Sequence, residues 1–359
     1  MTDTIGTPQR AVVTVQDILH QVGRDLFDKE VASAATYSYL WIADQMGHIG
    51  LGIVVVFALG WIVPLFHLAP VWTHWLPLAI GMFLVSLWEY RAYRTYAALA
   101  TGMFPSGDAL LARNALIAAA YMVAGVAAGF AWHESTPIAV GVTAVAIPFL
   151  LVFAVPWLRQ KIIWQKAGLP YLFRLSYSAA PIAKDDARKL QDLIDAQIAA
   201  GDKPAPKSVI ILSGPLGAGK TSLACGIGTE CAFGGVKVRY TSFDKLAQMA
   251  VAKSDDSGPQ NINYWPWRES ELLVVDDINS GVADNPYLNL DEFKAIVDGD
   301  FGPDKLCLGK RTTVWILGPK SDDGLKLWRD AIAAICEAGA GTPPAVLTIR
   351  FDAAAAAKA

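Results

Sequence analysis

Nine consecutive residues in the C-terminal half of the chain have the types and spacing of a phosphate-binding loop. They follow an apolar run at 209–212 and are Gly214, Pro215, Leu216, Gly217, Ala218, Gly219, Lys220, Thr221 and Ser222. In this G-x-x-x-x-G-K-[ST] spacing the glycines let the backbone curl, so that successive N–H groups and the positive end of the next helix face phosphates. The loop therefore predicts a nucleoside triphosphate site. Lys220 would reach the outer phosphates, and Thr221 would place its hydroxyl on Mg²⁺.

Two carboxylates further along the chain are candidates for the remaining chemistry. The apolar run 272–275 ends in Asp276 and Asp277. Four apolar residues before a carboxylate are typical of a buried parallel strand whose end reaches the ligand crevice. We expect Asp276 to hold Mg²⁺, directly or through water, and Asp277 to position or polarise the attacking water. Lys220 and Asp277 are therefore the predicted catalytic residues, and the predicted cofactors are ATP and Mg²⁺.

The elements that must position these residues alternate between strand and helix. Strands are expected at 209–212, 236–241, 272–276, 312–317 and 345–351, and helices at 222–233, 243–252 and 324–337. Such alternation predicts an α/β phosphate-loop NTPase domain over 207–351, with a parallel five-stranded sheet and helices on both faces. Residues 254–269 are expected to form a polar insert that exposes the aromatic segment 264–267. The Ala-rich tail 352–359 is expected to be disordered.

The composition is unusual for an ordinary soluble protein. Of 359 residues, 53% are hydrophobic and only 18% are charged, the net charge is −3, and there are 12 Trp. Without a basic excess, composition gives no indication of nucleic-acid binding. The four cysteines (Cys225, Cys231, Cys307 and Cys336) show neither zinc-site nor redox spacing, which indicates reduced, buried thiols.

The N-terminal half contains four long apolar runs, at 49–68, 71–90, 115–132 and 137–157. Each approaches or reaches the roughly 20 residues that cross a hydrocarbon core of about 30 Å. Glu89, at the end of one run, is their only charge, and Trp or Tyr residues mark the run ends as in an aromatic belt. The pattern predicts a four-helix transmembrane domain over 49–158, within the lipid bilayer.

The distribution of basic residues predicts the orientation of these helices. The link after the second run carries Arg91, Arg94 and Arg113, and the segment after the fourth carries Arg159, Lys161, Lys166 and Arg174. The turns at 67–74 and 133–135 carry no Lys or Arg. By the positive-inside rule, both termini are cytoplasmic in an inner (plasma) membrane, where ATP is available.

The flanking segments complete the expected domain organisation. Residues 1–48 are expected to form a cytoplasmic segment with an amphipathic helix at 15–35, which could pack on the soluble domain, contact a partner or lie on the membrane. Residues 159–206 are expected to be a basic juxtamembrane segment, a helix and a linker. Gly125 and Gly129 form a G-x-x-x-G pair that allows close helix contact, and the runs hold almost no ionisable residues. These features favour an anchor that can oligomerise over a conduction path.

From 208 to 277 the sequence resembles AAA+ phosphate-loop ATPases, and among them helicase-loader and transposase-helper ATPases. The resemblance rests on the loop at 214–221, the helix at 223–232 with Gly234 and Gly235, the segment 236–246, and the strand end at 274–278. It implies ATP binding and hydrolysis. Gly318 and Pro319 stand where such proteins usually have a phosphate-sensing polar residue, and only eight residues follow Phe351, where a helical lid is usual.

Three functions remain open at this stage. The first is a membrane-anchored ATPase that switches or drives assembly of itself or a protein partner; the second is a nucleotide-gated sensor whose membrane helices are the effector. The third, DNA engagement, would rest on Lys305, Lys310 and Arg311 and is the least favoured. Candidates for an arginine finger are Arg268, Arg311 and Arg329, each more typical of an ordinary surface or ion-pairing residue. Signatures of Ras-type GTPases and of ABC transporter ATPases are absent.

Overall fold

The computed structural model describes residues 11–19, 21, 37–99, 103–104, 108–132, 136–178, 180, 182–201, 203, 205–253, 264–278, 288–318 and 321–351. Their contacts divide the chain into two compact units. The helical unit comprises residues 18–101 and 105–159, and the sheet unit comprises residues 160–359 together with 1–17 and 102–104. The predicted turn at 133–135, the start of the insert at 254–263 and the tail at 352–359 lie outside the described residues.

Four long helices carry the apolar runs: α1 (Tyr37–Ile62), α2 (Pro70–Leu99), α3 (Asp108–Trp132) and α4 (Thr136–Lys166). Within the described residues, four helical windows are long and apolar enough to cross a membrane, at Asp44–Phe66, Pro70–Ala98, Leu111–Trp132 and Val140–Lys166. The prediction of four apolar helices is confirmed. In the candidate span of α3, 56% of the residues are buried within the chain, compared with 17% or less in the other three spans. The α3 helix is therefore the central helix of this unit, and the other three helices present apolar surface outward.

The G-x-x-x-G pair of α3 lies against α1. A Cβ atom on Gly125 would overlap the backbone of Ile49, and one on Gly129 would come within 2.6 Å of a Val56 methyl group. On the opposing helix, a Cβ on Gly52 would overlap the carbonyl oxygen of Met122. Backbones this close require glycine. The predicted close helix contact is confirmed, and the partner is another helix of the same chain.

Polar residues gather at one end of the helical unit. Gln45 and Glu89 are both buried, and the amide of Gln45 donates to Asp44 Oδ2 at 3.0 Å. His48 Nδ1 lies 3.8 Å from the same carboxylate oxygen. Asp44 and His48 precede the predicted run at 49–68, and they belong to the first candidate span because that span begins at Asp44. The described spans are longer than the predicted runs and therefore include charged residues that flank those runs.

The sheet unit is built on five parallel strands in the order β2-β3-β4-β1-β5. They are β1 (Ser208–Ser213), β2 (Val238–Ser242), β3 (Leu272–Asp276), β4 (Thr312–Leu317) and β5 (Ala345–Arg350). The helices are α5 (Lys184–Ala199), α6 (Lys220–Phe233), α7 (Phe243–Ala252), α8 (Leu290–Gly299) and α9 (Asp322–Ala340), with a one-turn helix at Lys305–Leu308. The predicted parallel five-stranded sheet is confirmed.

Successive residues of each strand face opposite sides of the sheet, and both sides are covered by helices. In β1, Ile210 and Leu212 join the core that also contains α5 and α6 side chains. Val209 and Ile211 join the core on the other face, with side chains of α7, α8 and α9. Since both faces are buried, β1 reads as a continuous apolar run, and each buried aliphatic side chain contributes about 1.5–3 kcal/mol.

The aromatic segment 264–267 is packed into the sheet unit, so the expectation that it is exposed was wrong. Trp267 is fully buried, with the guanidinium groups of Arg268 and Arg311 over its ring. Trp265 lies between two ammonium groups, at 4.9 Å from Lys166 Nζ and 5.2 Å from Lys237 Nζ. Cationic side chains thus cover the indole rings, although the polar composition of the surrounding segment predicted that these rings are exposed.

The segments before the first strand also pack on the sheet unit. Ala11 is buried, its N–H donates to the carbonyl of Gly235, and Asp17 pairs with Lys166 at 3.4 Å. Residues 15–19 and 21 are helical, whereas the predicted continuation over 22–35 lies outside the described residues. Of the three partners considered for this segment, the sheet unit is the one that residues 11–17 contact.

Candidate nucleotide-binding site

The predicted phosphate loop connects the end of β1 to the start of α6. Gly217 and Gly219 have φ angles of 77° and 88°, in the left-handed region that glycine adopts without strain. Gly219 is also the N-cap of α6, which begins at Lys220. The loop therefore curls immediately before a helix N-terminus, where backbone N–H groups and the helix dipole favour an anion.

Lys220 lies inside the curl of the loop. Its side chain is buried, and Nζ donates to the carbonyl oxygens of Gly214 at 2.8 Å and Pro215 at 2.6 Å. Burial lowers the pKa of this ammonium group, and the charge of Asp276 acts in the opposite direction. A desolvated cation surrounded mainly by carbonyl oxygens is well placed to exchange these acceptors for phosphate oxygens.

Thr221 and Asp276, the predicted metal ligands, are in direct contact. Thr221 Oγ1 donates to Asp276 Oδ2 at 2.9 Å. The strand order explains the contact, because β3 ends at the same edge of the sheet as β1 with only β4 between them. The first turn of α6 therefore reaches the carboxyl end of β3, as expected for a ligand site at this edge.

Asp276 accepts two further hydrogen bonds. Tyr240 Oη donates to Oδ2 at 2.7 Å, and the backbone N–H of Asp277 donates to Oδ1 at 2.8 Å. No sequence pattern indicated a role for Tyr240, which lies in β2 and has the pattern of an ordinary aromatic strand residue. Only the parallel pairing of β2 with β3, in which Tyr240 is opposite Val274, brings its phenol to Asp276.

Asp277 differs from Asp276 in its exposure and in its backbone conformation. It is exposed, and its φ of 56° places it in the left-handed region, which turns the chain away from the strand. Desolvation raises the pKa of its carboxyl group, and the charges of Asp276 and Asp244 raise it further. A carboxylate of raised pKa is a better proton acceptor. The role of Asp277 in positioning water stays a prediction.

A tyrosine from the predicted juxtamembrane segment also reaches the loop. Tyr171 Oη and Ser222 Oγ are hydrogen-bonded at 2.9 Å. Close by, burial and the charge of Asp276 raise the pKa of the Cys225 thiol to about 12, so this thiol stays neutral. All four cysteines are free and buried, which confirms the prediction for these residues. Nothing in the spacing of the sequence connected Tyr171 with the loop.

The three candidate arginine fingers have other partners. Arg311 is buried and donates to the backbone carbonyls of Trp267, Arg268 and Cys307. Arg268 pairs with Asp304 at 2.8 Å, and Arg329 pairs with its exposed neighbour Asp330 at 2.8 Å. Arg311 is therefore a structural residue, which also removes it from the basic patch considered for DNA.

Lys305, another member of that patch, pairs with Asp298 at 3.0 Å. Of the three residues, Arg311 is buried and Lys305 is paired at the surface, so the described basic patch is smaller than the sequence indicated.

The donor set at the loop fits Mg²⁺ bound together with a nucleotide. Thr221 and Asp276 offer oxygen atoms, which this small, hard cation prefers. Within the described ranges no group of three or more His, Cys, Asp or Glu side chains could hold a metal ion. A site with one carboxylate and one hydroxyl matches the usual way in which Mg²⁺ binds, with phosphate and water oxygens completing its shell.

The comparisons with known proteins concern this part of the chain. A family profile described as IstB-like ATP binding protein matches residues 175–288, less than half of the sequence. No curated protein matches the chain. The matched residues include the phosphate loop and both partners of the contact between Thr221 and Asp276. Tyr171 lies four residues before the matched range. The resemblance to transposase-helper and helicase-loader ATPases is confirmed, and residues 175–288 form an IstB-like ATP-binding domain of the AAA+ class of phosphate-loop ATPases.

Proposed function

We propose that the protein is a membrane-anchored ATPase. Its sheet unit binds and hydrolyses Mg-ATP on the cytoplasmic side of the inner membrane, and its four apolar helices hold it there. Turnover switches or drives assembly of the protein itself or of a protein partner.

The observation that carries the ATPase part is the hydrogen bond between Thr221 and Asp276. It joins the phosphate loop to the end of β3, which is the geometry needed to hold one cation beside the phosphates. A phosphate loop alone would indicate binding, whereas a carboxylate at this position adds a place for Mg²⁺. Asp277, adjacent and exposed, adds a carboxylate that can face water.

The membrane part is supported by the surface of the helical unit. Large apolar side chains, among them Trp61, Phe83, Trp88 and Val145, are exposed on its helices. Exposed apolar surface of this extent is typical of helices that face lipid. The basic residues that follow the second and fourth apolar runs of the sequence favour a cytoplasmic location for the sheet unit.

The proposed mechanism assigns a task to each group of the site. Backbone N–H groups of the loop bind the phosphates, and Lys220 exchanges its two loop carbonyls for outer phosphate oxygens. Thr221 and Asp276 would hold Mg²⁺, which supplies charge neutralisation when bound. Asp277 orients the attacking water and accepts its proton.

The first test uses the whole protein in detergent and the substitution Lys220→Ala. We expect ATP turnover to fall about 100-fold or more, because a preorganised charge at the transferred phosphate is lost. The control is Lys294→Ala, which removes an exposed lysine from α8 of the same unit and should leave turnover unchanged. Nucleotide binding and turnover that are both unaffected by Lys220→Ala would contradict the site assignment.

The same preparation separates the proposed ATPase from a nucleotide-gated sensor. Turnover is measured with and without Mg²⁺, and the oligomeric state is measured with and without ATP. Rapid Mg²⁺-dependent turnover together with an ATP-dependent change of oligomeric state supports the proposal. Tight nucleotide retention with negligible turnover would instead favour the sensor.

A further inference from the structure

The phenol of Tyr240 shares one oxygen of the Asp276 carboxylate with Thr221. The distances from Asp276 Oδ2 are 2.7 Å to Tyr240 Oη and 2.9 Å to Thr221 Oγ1, and Oδ1 accepts the N–H of Asp277 at 2.8 Å. Three donors, from β2, from α6 and from the residue after β3, thus fix both carboxylate oxygens. The carboxylate cannot rotate without breaking at least one of these bonds.

Tyr240 is itself held in place. Its backbone pairs with β3 opposite Val274, and on the other side its N–H donates to the carbonyl oxygen of Ala167 at 2.8 Å. Its hydroxyl is directed to Asp276 Oδ2, so both the backbone and the side-chain end of the residue are fixed.

We propose that Tyr240 is a positioning residue for the metal ligand Asp276, fixing the carboxylate so that Mg²⁺ binds with the nucleotide in one geometry. This inference rests on the proposed Mg-ATPase function. Mg²⁺ demands near-ideal octahedral geometry and therefore discriminates against a mobile ligand. Hydrogen-bond partners of metal ligands typically contribute 10–100-fold to metal affinity or activity.

The position of Tyr240 distinguishes this role from that of a ligand or an acid. The one hydrogen bond that its hydroxyl can donate is already directed to Asp276. Tyr240 acts through Asp276 only. The effect of its hydroxyl should consequently be seen in the dependence on Mg²⁺ and not in nucleotide binding without metal.

The test compares the whole protein with Tyr240→Phe, which removes one oxygen atom and keeps the ring. Binding of a fluorescent ATP analogue and ATP turnover are titrated with MgCl₂. We expect the half-saturating Mg²⁺ concentration to rise about tenfold or more, while the affinity for the analogue in EDTA stays unchanged. Tyr264→Phe is the matched control, since that ring stacks on Arg239 of β2, and it should leave the Mg²⁺ titration unchanged.

A second comparison covers the case in which Tyr240→Phe weakens the fold. In an Asp276→Asn background the carboxylate is already altered, so adding Tyr240→Phe should have little further effect on the Mg²⁺ titration. Full additivity of the two substitutions would overturn the inference. So would a Mg²⁺ titration of Tyr240→Phe identical to that of the unsubstituted protein, or an equal loss of analogue binding with and without Mg²⁺.

These outcomes differ from failure of the proposed function. If the unsubstituted protein binds and turns over ATP without any dependence on Mg²⁺, the proposed Mg-ATPase fails and Tyr240 has no metal ligand to position. If the unsubstituted protein depends on Mg²⁺ and Tyr240→Phe depends on it equally, only the inference about Tyr240 fails.

Discussion

Asp276 and Asp277 are neighbours in the chain with opposite surroundings. Asp276 ends a buried strand and accepts hydrogen bonds from Thr221, Tyr240 and the Asp277 backbone. Asp277 has a left-handed backbone conformation, and its own side chain is exposed. One carboxylate is therefore fixed and fully satisfied, while the other faces solvent, and this division suits one metal ligand and one group that handles water.

The electrostatics of Asp277 give a prediction about stability. Its pKa is raised in the folded protein, so the ionised form that prevails at neutral pH destabilises the fold. We expect Asp277→Asn to raise the melting temperature without nucleotide at pH 7, because asparagine tolerates the same left-handed backbone. The gain should disappear as the pH falls below 3.8, the ordinary pKa of the carboxyl group. Thermal unfolding of the variant and of the unsubstituted protein at several pH values measures this difference in melting temperature.

The same variant tests the catalytic role of Asp277. ATP turnover should fall about 100-fold or more, because an amide cannot accept the proton of water. Asp192→Asn, which neutralises an exposed carboxylate on α5, is the control for both measurements. A variant that is stabilised but retains full turnover would show that the carboxylate is electrostatically strained and has no part in the chemistry.

At the scale of elements, local patterns predicted the sheet unit well. The apolar runs of β1, β3 and β4 are each buried throughout, so their continuous apolarity was a direct consequence of covered faces. The phosphate loop was predictable because the residues that define it are consecutive in the sequence. Tyr240 was not, because its contact with Asp276 depends on which strands are neighbours, and this is not a local property.

The burial of the aromatic segment 264–267 was likewise not predictable from a local pattern. Trp265 and Trp267 lie in a polar stretch of the sequence, and the pattern indicated exposure. Their covering cations, among them Lys166, Lys237 and Arg311, come from places that the fold alone brings together. Patterns within one segment cannot show such partners.

The glycine contact between α1 and α3 gives a prediction at this scale. Gly52 and Gly60 both lie in α1, but a Cβ on Gly52 would overlap the α3 backbone whereas one on Gly60 would meet open space. We expect Gly52→Ala to destabilise the helical unit by about 1–3 kcal/mol, the usual cost of overpacking. Gly60→Ala should be neutral. Unfolding of the whole protein by titration from mild into harsh detergent measures both.

Equal behaviour of the two variants would contradict the described helix contact. A loss of stability on Gly60→Ala alone would indicate that the outer face of α1 meets a further helix, for example in a second copy of the protein. The pair of substitutions thus also reports on the surface that an oligomer uses.

At the scale of the whole molecule, the described residues form separate hydrophobic cores. Val56, Val85 and Val126 belong to the core of the helical unit, whereas the sheet unit has one core on each face of its sheet. Units with separate cores can unfold independently. Among the tryptophans, Trp267 and Trp315 are buried in the sheet unit, and Trp61 and Trp132 are exposed on the helical unit.

We therefore expect two unfolding transitions for the whole protein in detergent, of which Mg-ATP raises only one. At a nucleotide concentration 100 times the dissociation constant, binding stabilises the sheet unit by about 2.7 kcal/mol. For a unit of this size, this corresponds to a melting temperature higher by about 5–11 °C. Scanning calorimetry with and without Mg-ATP measures the shift. Lys220→Ala should keep both transitions but should lose the shift that Mg-ATP causes. A single transition, or an equal shift of both, would contradict independent units.

The contact between α1 and α3 has a consequence for biosynthesis. Ile49 lies against Gly125, Gly52 against Val126 and Val56 against Gly129, so the two helices are parallel. In the proposed topology α1 enters the bilayer before its partner has been synthesised, and it must persist there as a lone helix. Its window has a mean hydropathy of 2.5, the highest of the four, whereas that of α2 is only 1.4. The first helix thus has the apolarity to enter the lipid alone, and α2 can enter beside it before α3 makes the glycine contact.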